Sequence, residues 1–296
     1  MAVRLLLFAA LLLGQAQLLA GEPVAEQDLL WLASDFKPFM ILDGPQAGEG
    51  YLDKAQGVFQ QLLPGYRHRS VQGNASRREQ IMQAGLRGNR QICSVTLFRT
   101  PRREGFALFS RPYLYVLPSG LITLSDLAAR FAPYRDAKGD LQLTQILASR
   151  QFRLGVTPKR IYGGVIDKLL EPFAAPGVEP TVIWRAGEDN SEGLYSMLQH
   201  GRIDYTPGFA VEEQYLYRQR AGQAATVFLP LAGNTELLEA RFSCARTPWG
   251  ERIVAQVDGL LADPASRAQF QQFYEQWLSP QSLQLYRGKL ALKQQP

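Results

Sequence analysis

Between Leu97 and Tyr113 the sequence reads LFRTPRREGFALFSRPY, with four arginines around one Thr-Pro step. A guanidinium is a rigid fork of donors that matches a carboxylate or phosphate bidentately, which an ammonium cannot do. Held inward, one of these arginines would grip an anion; left on a loop they coat a solvated surface. Arg99, Arg102 and Arg111 are assigned to that surface, where charged side chains normally lie. A second basic pair, Lys159-Arg160, stands just before a helical pattern starting at Ile161. The positive end of a helix flanked by two cations would favour an anion, with Tyr162 lining the site.

Other chemistry has little support in the residue types. There is no G-x-S-x-G turn, no zinc spacing and no phosphate-binding glycine loop. The two histidines are not at ligand spacing from a cysteine; His68, between Arg67 and Arg69, is expected on the surface, and His200 closes a helix. Asp204 reads as a structural turn residue. No metal or cofactor is expected, and the chain is not expected to be an enzyme, although Asp35 or Glu104 could be enlisted as a cleft acid.

The elements that would position these residues alternate between two periods. A strand in Leu29–Ile41 breaks at SDFKPF, and Tyr51–Leu63 is helical with Leu52, Ala55, Phe59 and Leu62 on one face. A strand at 66–71, a helix at 76–86 stopped by Gly88 and a strand at 91–98 follow. Past Thr123 a second cycle gives a helix at 141–148 capped by Asp140, a strand at 152–157 and a helix at 161–170. A strand at 181–184, a helix at 191–199 and a strand at 203–206 complete it. From Glu239 one more strand and two helices, 250–261 and 265–277, return without a new strand–helix cycle. Strands alternating with helices predict mainly parallel sheets. The returning segment predicts two crossovers, near Gly120 and Leu237, and hence a hinge between two lobes with a ligand cleft between them. Phe98 and Tyr205 are placed facing that cleft.

Compartment follows from the first twenty residues. Arg4 precedes a short apolar run, Leu5–Leu13, and then Gly14, Gln15 and Gln17, the pattern of a cleaved export signal. Cleavage is expected after Ala20, with Ala16 the alternative, which makes the protein periplasmic. Cys93 and Cys244 are the only cysteines, and in an oxidising compartment such a pair is expected to be bonded. The net charge of +5 includes Arg4 and comes without a basic run longer than a doublet, so nucleic acid is not an expected partner.

These features together resemble the family 3 extracellular solute-binding proteins, which have the type II periplasmic binding fold. The residues carrying the likeness are SDFKPF after the first strand, Thr100-Pro101-x-Arg103, Phe109-Ser110-x-Pro112-Tyr113, LGVT at 154–157 and GRID at 201–204. The resemblance implies a two-lobed α/β protein with residues 1–20 as signal, 21–122 plus 237–296 as lobe 1, and 123–236 as lobe 2. It places Arg103 at the arginine that grips a ligand carboxylate, Phe36 at the aromatic that stacks on ligand, Phe39 behind that loop and Thr96 beside the cleft. Lobe 2 would close with Thr157, Lys159 and Arg160. The chain departs from amino-acid binders at Phe98, where they carry serine, and at Lys159-Arg160, where they carry a Gly-Ser/Thr pair. It departs again at Phe209, where they carry the aspartate that receives the ligand ammonium. An anionic or aromatic solute is therefore expected, captured by a monomer and passed to a membrane permease or sensor. The alternatives are an exported dehydratase or lyase and a ligand-independent interaction module, which would have a filled cleft.

Overall fold

The computed structural model describes residues 27–293 except 89, 159, 174–178, 187–190 and 220–221. The export signal and Lys159 lie outside the described residues. No helix among the described residues is long and apolar enough to cross a membrane.

Ten strands are described: β1 (Gln27–Ala33), β2 (Tyr66–Gln72), β3 (Ile92–Ser94), β4 (Ala107–Val116), β5 (Gly120–Leu124), β6 (Leu154–Val156), β7 (Val182–Trp184), β8 (Tyr205–Gly208), β9 (Thr226–Leu229) and β10 (Leu238–Ala245). They form two five-stranded sheets, ordered β2-β1-β3-β10-β4 and β7-β6-β8-β5-β9. The chain thus leaves the first sheet after β4, builds the second, and returns through β10. In the first sheet β1 runs parallel to β2 and β3, while β10 is antiparallel to β3 and β4. In the second, β6 is parallel to β7 and β8, while β5 is antiparallel to β8 and β9. Both sheets are therefore mixed. The parallel half comes from the strand–helix–strand cycles; β10 and β5 enter from the crossovers and so run the other way.

Local sequence explains most boundaries. In β1, Leu29, Trp31, Leu32 and Ala33 are all buried, as an inner strand covered on both faces requires. The edge strand β2 is polar, but His68 is not a free surface residue. Its Nδ1 accepts from Trp31 Nε1 at 3.0 Å and its Nε2 faces the Leu63 carbonyl at 3.1 Å. Asn74 caps the helix Ala75–Arg87 by accepting from the Arg77 amide, and Gly88 ends it. The helix expected from Leu141 starts at Leu143, and Asp140 does not cap it, because the Leu141 amide bonds instead to the Pro230 carbonyl. The helix expected from Ile161 starts only at Gly164. Asp167 reaches back to accept from the Tyr162 and Gly163 amides at 2.9 and 3.1 Å, so this short helix caps itself and leaves Arg160 in irregular chain ahead of it. Helices Ala210–Arg218 and Pro280–Lys293 and strand β9 lie where the sequence reading placed no element.

The crossovers are tied together. Asn234 Nδ2 donates to the Ser119 carbonyl at 2.8 Å, and the Ser119 hydroxyl donates to the Tyr162 carbonyl. Gly163 sits here at φ +122°, where a Cβ would be strained and only 3.3 Å from Ser119 Oγ. Cys93 and Cys244 face each other across β3 and β10 and form a disulfide. It pins the returning segment to its sheet. One apolar cluster runs from Phe39, Tyr51, Phe59 and Phe242 of the first lobe into Leu194, Phe209, Tyr215 and Leu216 of the second; a separate cluster covers the other face of the second sheet.

Two outcomes follow from this frame. The bridged cysteines are 151 residues apart, so replacing both by alanine should lower unfolding stability by about 3–5 kcal/mol in urea titrations. Glu213, on helix Ala210–Arg218, is buried; Oε1 accepts from Thr226 Oγ1 at 2.6 Å and Oε2 has no partner. Burial pushes its carboxyl up to about 7, against the lowering effects of Thr226 and Arg218. A carboxyl that holds its proton more tightly when folded stabilises the protein fully below its unfolded pKa, and that contribution is lost as pH rises towards 7. Glu213→Gln should remove this loss, making the variant the more stable of the two at pH 8 by up to about 3 kcal/mol and not at pH 4; parallel melts across that range check it.

Candidate functional site

The SDFKPF segment closes a tight turn, with Phe36 and Met40 exchanging backbone hydrogen bonds at 3.1 and 3.0 Å across a cis Lys37–Pro38 peptide. The turn stacks Phe36 on Phe39, ring centroids 4.5 Å apart and nearly parallel. Both rings face the second lobe. Phe209, at the N-terminal end of helix Ala210–Arg218, meets Phe39 edge-on at 5.2 Å. Further along the same helix Tyr215 contacts Trp277 at 5.8 Å, Arg218 donates to the Gln276 carbonyl at 2.9 Å, and Gln219 donates to Gln46 at 2.7 Å. This helix thus reaches the first lobe at several points along its length.

Arg160 lies at the centre of that contact. Its guanidinium stands 5.2 Å over the Phe36 ring of the first lobe and 4.8 Å from the Tyr162 ring of its own. Both distances are within cation–π range. Nη2 donates to both Glu212 oxygens, at 2.8 and 2.6 Å, and Nη1 donates to Ser191 Oγ at 2.8 Å. Nε is buried without a partner. The Arg160 and Glu212 side chains are 8% and 1% exposed. Burial alone would lower the Arg160 pKa, but Glu212 and Tyr162 outweigh it and the guanidinium stays charged. Glu212 is fixed independently, accepting from the Phe209 amide at 2.9 Å and from the Ser191 hydroxyl. A cavity of about 10 Å³, bordered by Arg160, Ser191, Glu212, Leu194, Thr206 and Gly208, adjoins the pair, room for about one water.

The predicted site residues divide into two sets. Phe36, Arg160, Tyr162 and Thr157 come together, the Thr157 amide donating to Tyr162 Oη at 2.8 Å. Among the described residues, no hydrogen bond, ion pair or ring contact joins Thr96, Phe98, Arg103 or Tyr205 to them. Arg103 donates from Nε to Glu79 Oε1 at 2.7 Å and from Nη1 to the Phe98 carbonyl at 2.9 Å. Arg102 shares the same carboxylate. Arg78 beside them is pulled down to about 10 by burial and by the Arg103 charge. Thr96 bonds to Ser94 at 3.0 Å, Phe98 is 39% exposed, and Tyr205 is buried against Phe131 in the second lobe. Arg99 and Arg111 pair with Glu104 and Asp258 at the surface. Both arginines chosen for an anion, Arg103 and Arg160, thus carry a carboxylate from the chain itself. A larger open groove, about 780 Å³, lies between helix Pro280–Lys293 and Lys138, Asp140 and Thr235–Leu237, and holds none of the predicted residues.

The sequence reading missed Glu212 and Ser191; Phe39, expected behind the loop, is buried in the apolar cluster. The available signal was Glu212 itself, three residues after Phe209 at a helix start, the spacing at which an acidic side chain returns to cap the first turn.

No protein-family model matches this chain, and no curated protein matches it by sequence. Solved structures do match it by fold. An ancestral cationic amino acid solute-binding protein is 17% identical, over 86% of this chain and 96% of its own, with a TM-score of 0.57. The probable amino-acid ABC transporter extracellular-binding protein of Bacillus subtilis is 12% identical, over 86% and 98%, with a TM-score of 0.57. The second substrate-binding domain of GlnP from Lactococcus lactis, in an open conformation, is 12% identical, over 87% and 97%, with a TM-score of 0.55. With two mixed sheets flanked by helices and joined by two crossovers, the chain has the two-lobed periplasmic-binding-protein-like fold of these solute-binding proteins.

Proposed function

We propose that this chain is an exported, family 3-like solute-binding protein, with lobes 21–122 plus 237–296 and 123–236, whose solute seat is the junction around Phe36 and Arg160. The observation that carries the reading is Arg160 itself. A guanidinium of one lobe stands 5.2 Å over an aromatic ring of the other, so the lobes meet through the kind of cation–ring contact a bound solute would make. Opening about the paired crossovers exposes Phe36, Phe39, Phe209 and Tyr162 to a planar or aromatic solute. Closure is stabilised by whatever that solute binds better in the closed state than in the open one. A permease or a sensor domain then reads the closed form.

A second reading is supported by the Phe39–Phe209 contact and the continuous apolar cluster. With the cleft filled by the chain's own side chains, the protein would serve as a ligand-independent interaction module. An exported dehydratase or lyase has less support. Asp35 accepts from the Leu42 amide, Glu104 pairs with Arg99, and Glu212 is fully engaged, so each acid is already in structural use.

Thermal unfolding against amino acids, aromatic acids, anions and guanidinium compounds separates the first two readings. A solute at ~100 times its dissociation constant stabilises the folded state by about 2.7 kcal/mol. The expected result is a hit whose shift is lost in Phe36→Ala and kept in Arg103→Ala. A panel without any hit favours the interaction module.

A further inference from the structure

We propose that Arg160 is an internal ligand, occupying a seat built for a planar guanidinium cation, and that a free guanidinium-bearing solute takes this seat when Arg160 leaves it. This rests on the junction being the solute site.

The two halves of the Arg160–Glu212 pair are held very differently. Glu212 is fixed from its own side by the Phe209 amide and the Ser191 hydroxyl, at the first turn of a helix. Neither of these donors depends on Arg160. Arg160 lies outside any helix or strand, between β6 and the helix at Gly164, and its amide makes one long turn bond, to the Thr157 carbonyl at 3.4 Å. Removing the arginine side chain leaves two rings, Phe36 and Tyr162, that stood 5.2 and 4.8 Å from its guanidinium, together with the Glu212 carboxylate and the Ser191 hydroxyl. Ring faces carry negative potential and attract cations. A carboxylate matches the guanidinium fork. An anion placed there would instead lie against Glu212 and two ring faces. The seat therefore selects a planar cation, the opposite charge to that expected from the basic residues alone.

Arg160 fits this seat incompletely, since Nε is buried without a partner. A free solute can orient to use that donor, which a tethered side chain cannot. The cavity of about 10 Å³ beside the pair has no room for a guanidinium, so the solute must displace Arg160. Because Arg160 is tethered, it competes at a high effective concentration. The wild-type protein should consequently bind guanidinium compounds more weakly than a variant lacking the side chain.

The test is chemical rescue of Arg160→Ala, read by thermal melts. Guanidinium chloride at about 10 mM, far too dilute to denature, and ethylguanidinium should raise the variant's Tm saturably. Sodium chloride at equal ionic strength, phosphate and benzoate should not. The rise should vanish in the double variant Arg160→Ala/Glu212→Gln, and wild type should need at least tenfold more compound. If Arg160→Ala does not fold, Arg160→Gln, which keeps part of the stem, carries the same titration. A variant that ignores guanidinium compounds but is stabilised by a neutral or anionic planar solute, with the effect lost in Phe36→Ala, overturns the internal ligand and leaves the solute site standing. A variant stabilised by nothing in the series overturns both.

Discussion

A guanidinium that is 8% exposed cannot be left without a counter-charge, because an uncompensated buried ion costs several kcal/mol. Much of this molecule is arranged around that constraint at Arg160. Glu212 must stand within reach, and it does so as the cap of helix Ala210–Arg218. Its capping bond from the Phe209 amide marks the start of the helix, which carries Phe209 against Phe39 and Tyr215 against Trp277. The lobes therefore meet at a helix that bears the ion pair on its first turn. Burying such a pair is weak evidence of stability in itself, since an apolar replacement of the same shape is often as good. Its value here is specificity: Arg160 meets the other lobe on the Phe36 ring, which gives the contact between lobes a defined register.

The same group is linked to the hinge by a short chain of contacts. The Tyr162 carbonyl accepts from Ser119 in the outgoing crossover, and Asn234 in the returning one donates to the Ser119 carbonyl. Tyr162 Oη in turn accepts from the Thr157 amide at the end of β6. A rotation about the crossovers thus acts directly on the segment that carries Arg160. Such a rotation would also withdraw the guanidinium from Phe36. The disulfide lies elsewhere, within the first sheet, and holds the return strand irrespective of that movement.

The fold was largely legible in the sequence, because it is written in hydrophobic period and in the unusual return of the chain. The strand at Leu29–Ala33, the helices at 51–62 and 75–87 and the pairing of Cys93 with Cys244 all follow from local pattern or compartment. What was not legible depends on contacts distant in sequence. Arg160 was placed at a helix start because Ile161–Leu170 has helical period; the actual start is set three residues later by Asp167 reaching back. Arg103 matches a motif, but its counter-ion, Glu79, lies on a helix whose orientation no local pattern reveals. The filling of the cleft needed Phe209, Glu212 and Ser191 together, from segments with no shared motif. Charge counted along the chain suggested an anion site, whereas in space both key arginines are already paired with a carboxylate of the chain.

The most direct measurement is small-angle X-ray scattering of the protein without added solute, compared with Arg160→Ala. Lobes held shut by their own side chains should give a wild-type profile that fits the closed structure, and the variant should have a larger radius of gyration. An open wild-type profile, indistinguishable from that of the variant, would contradict the account.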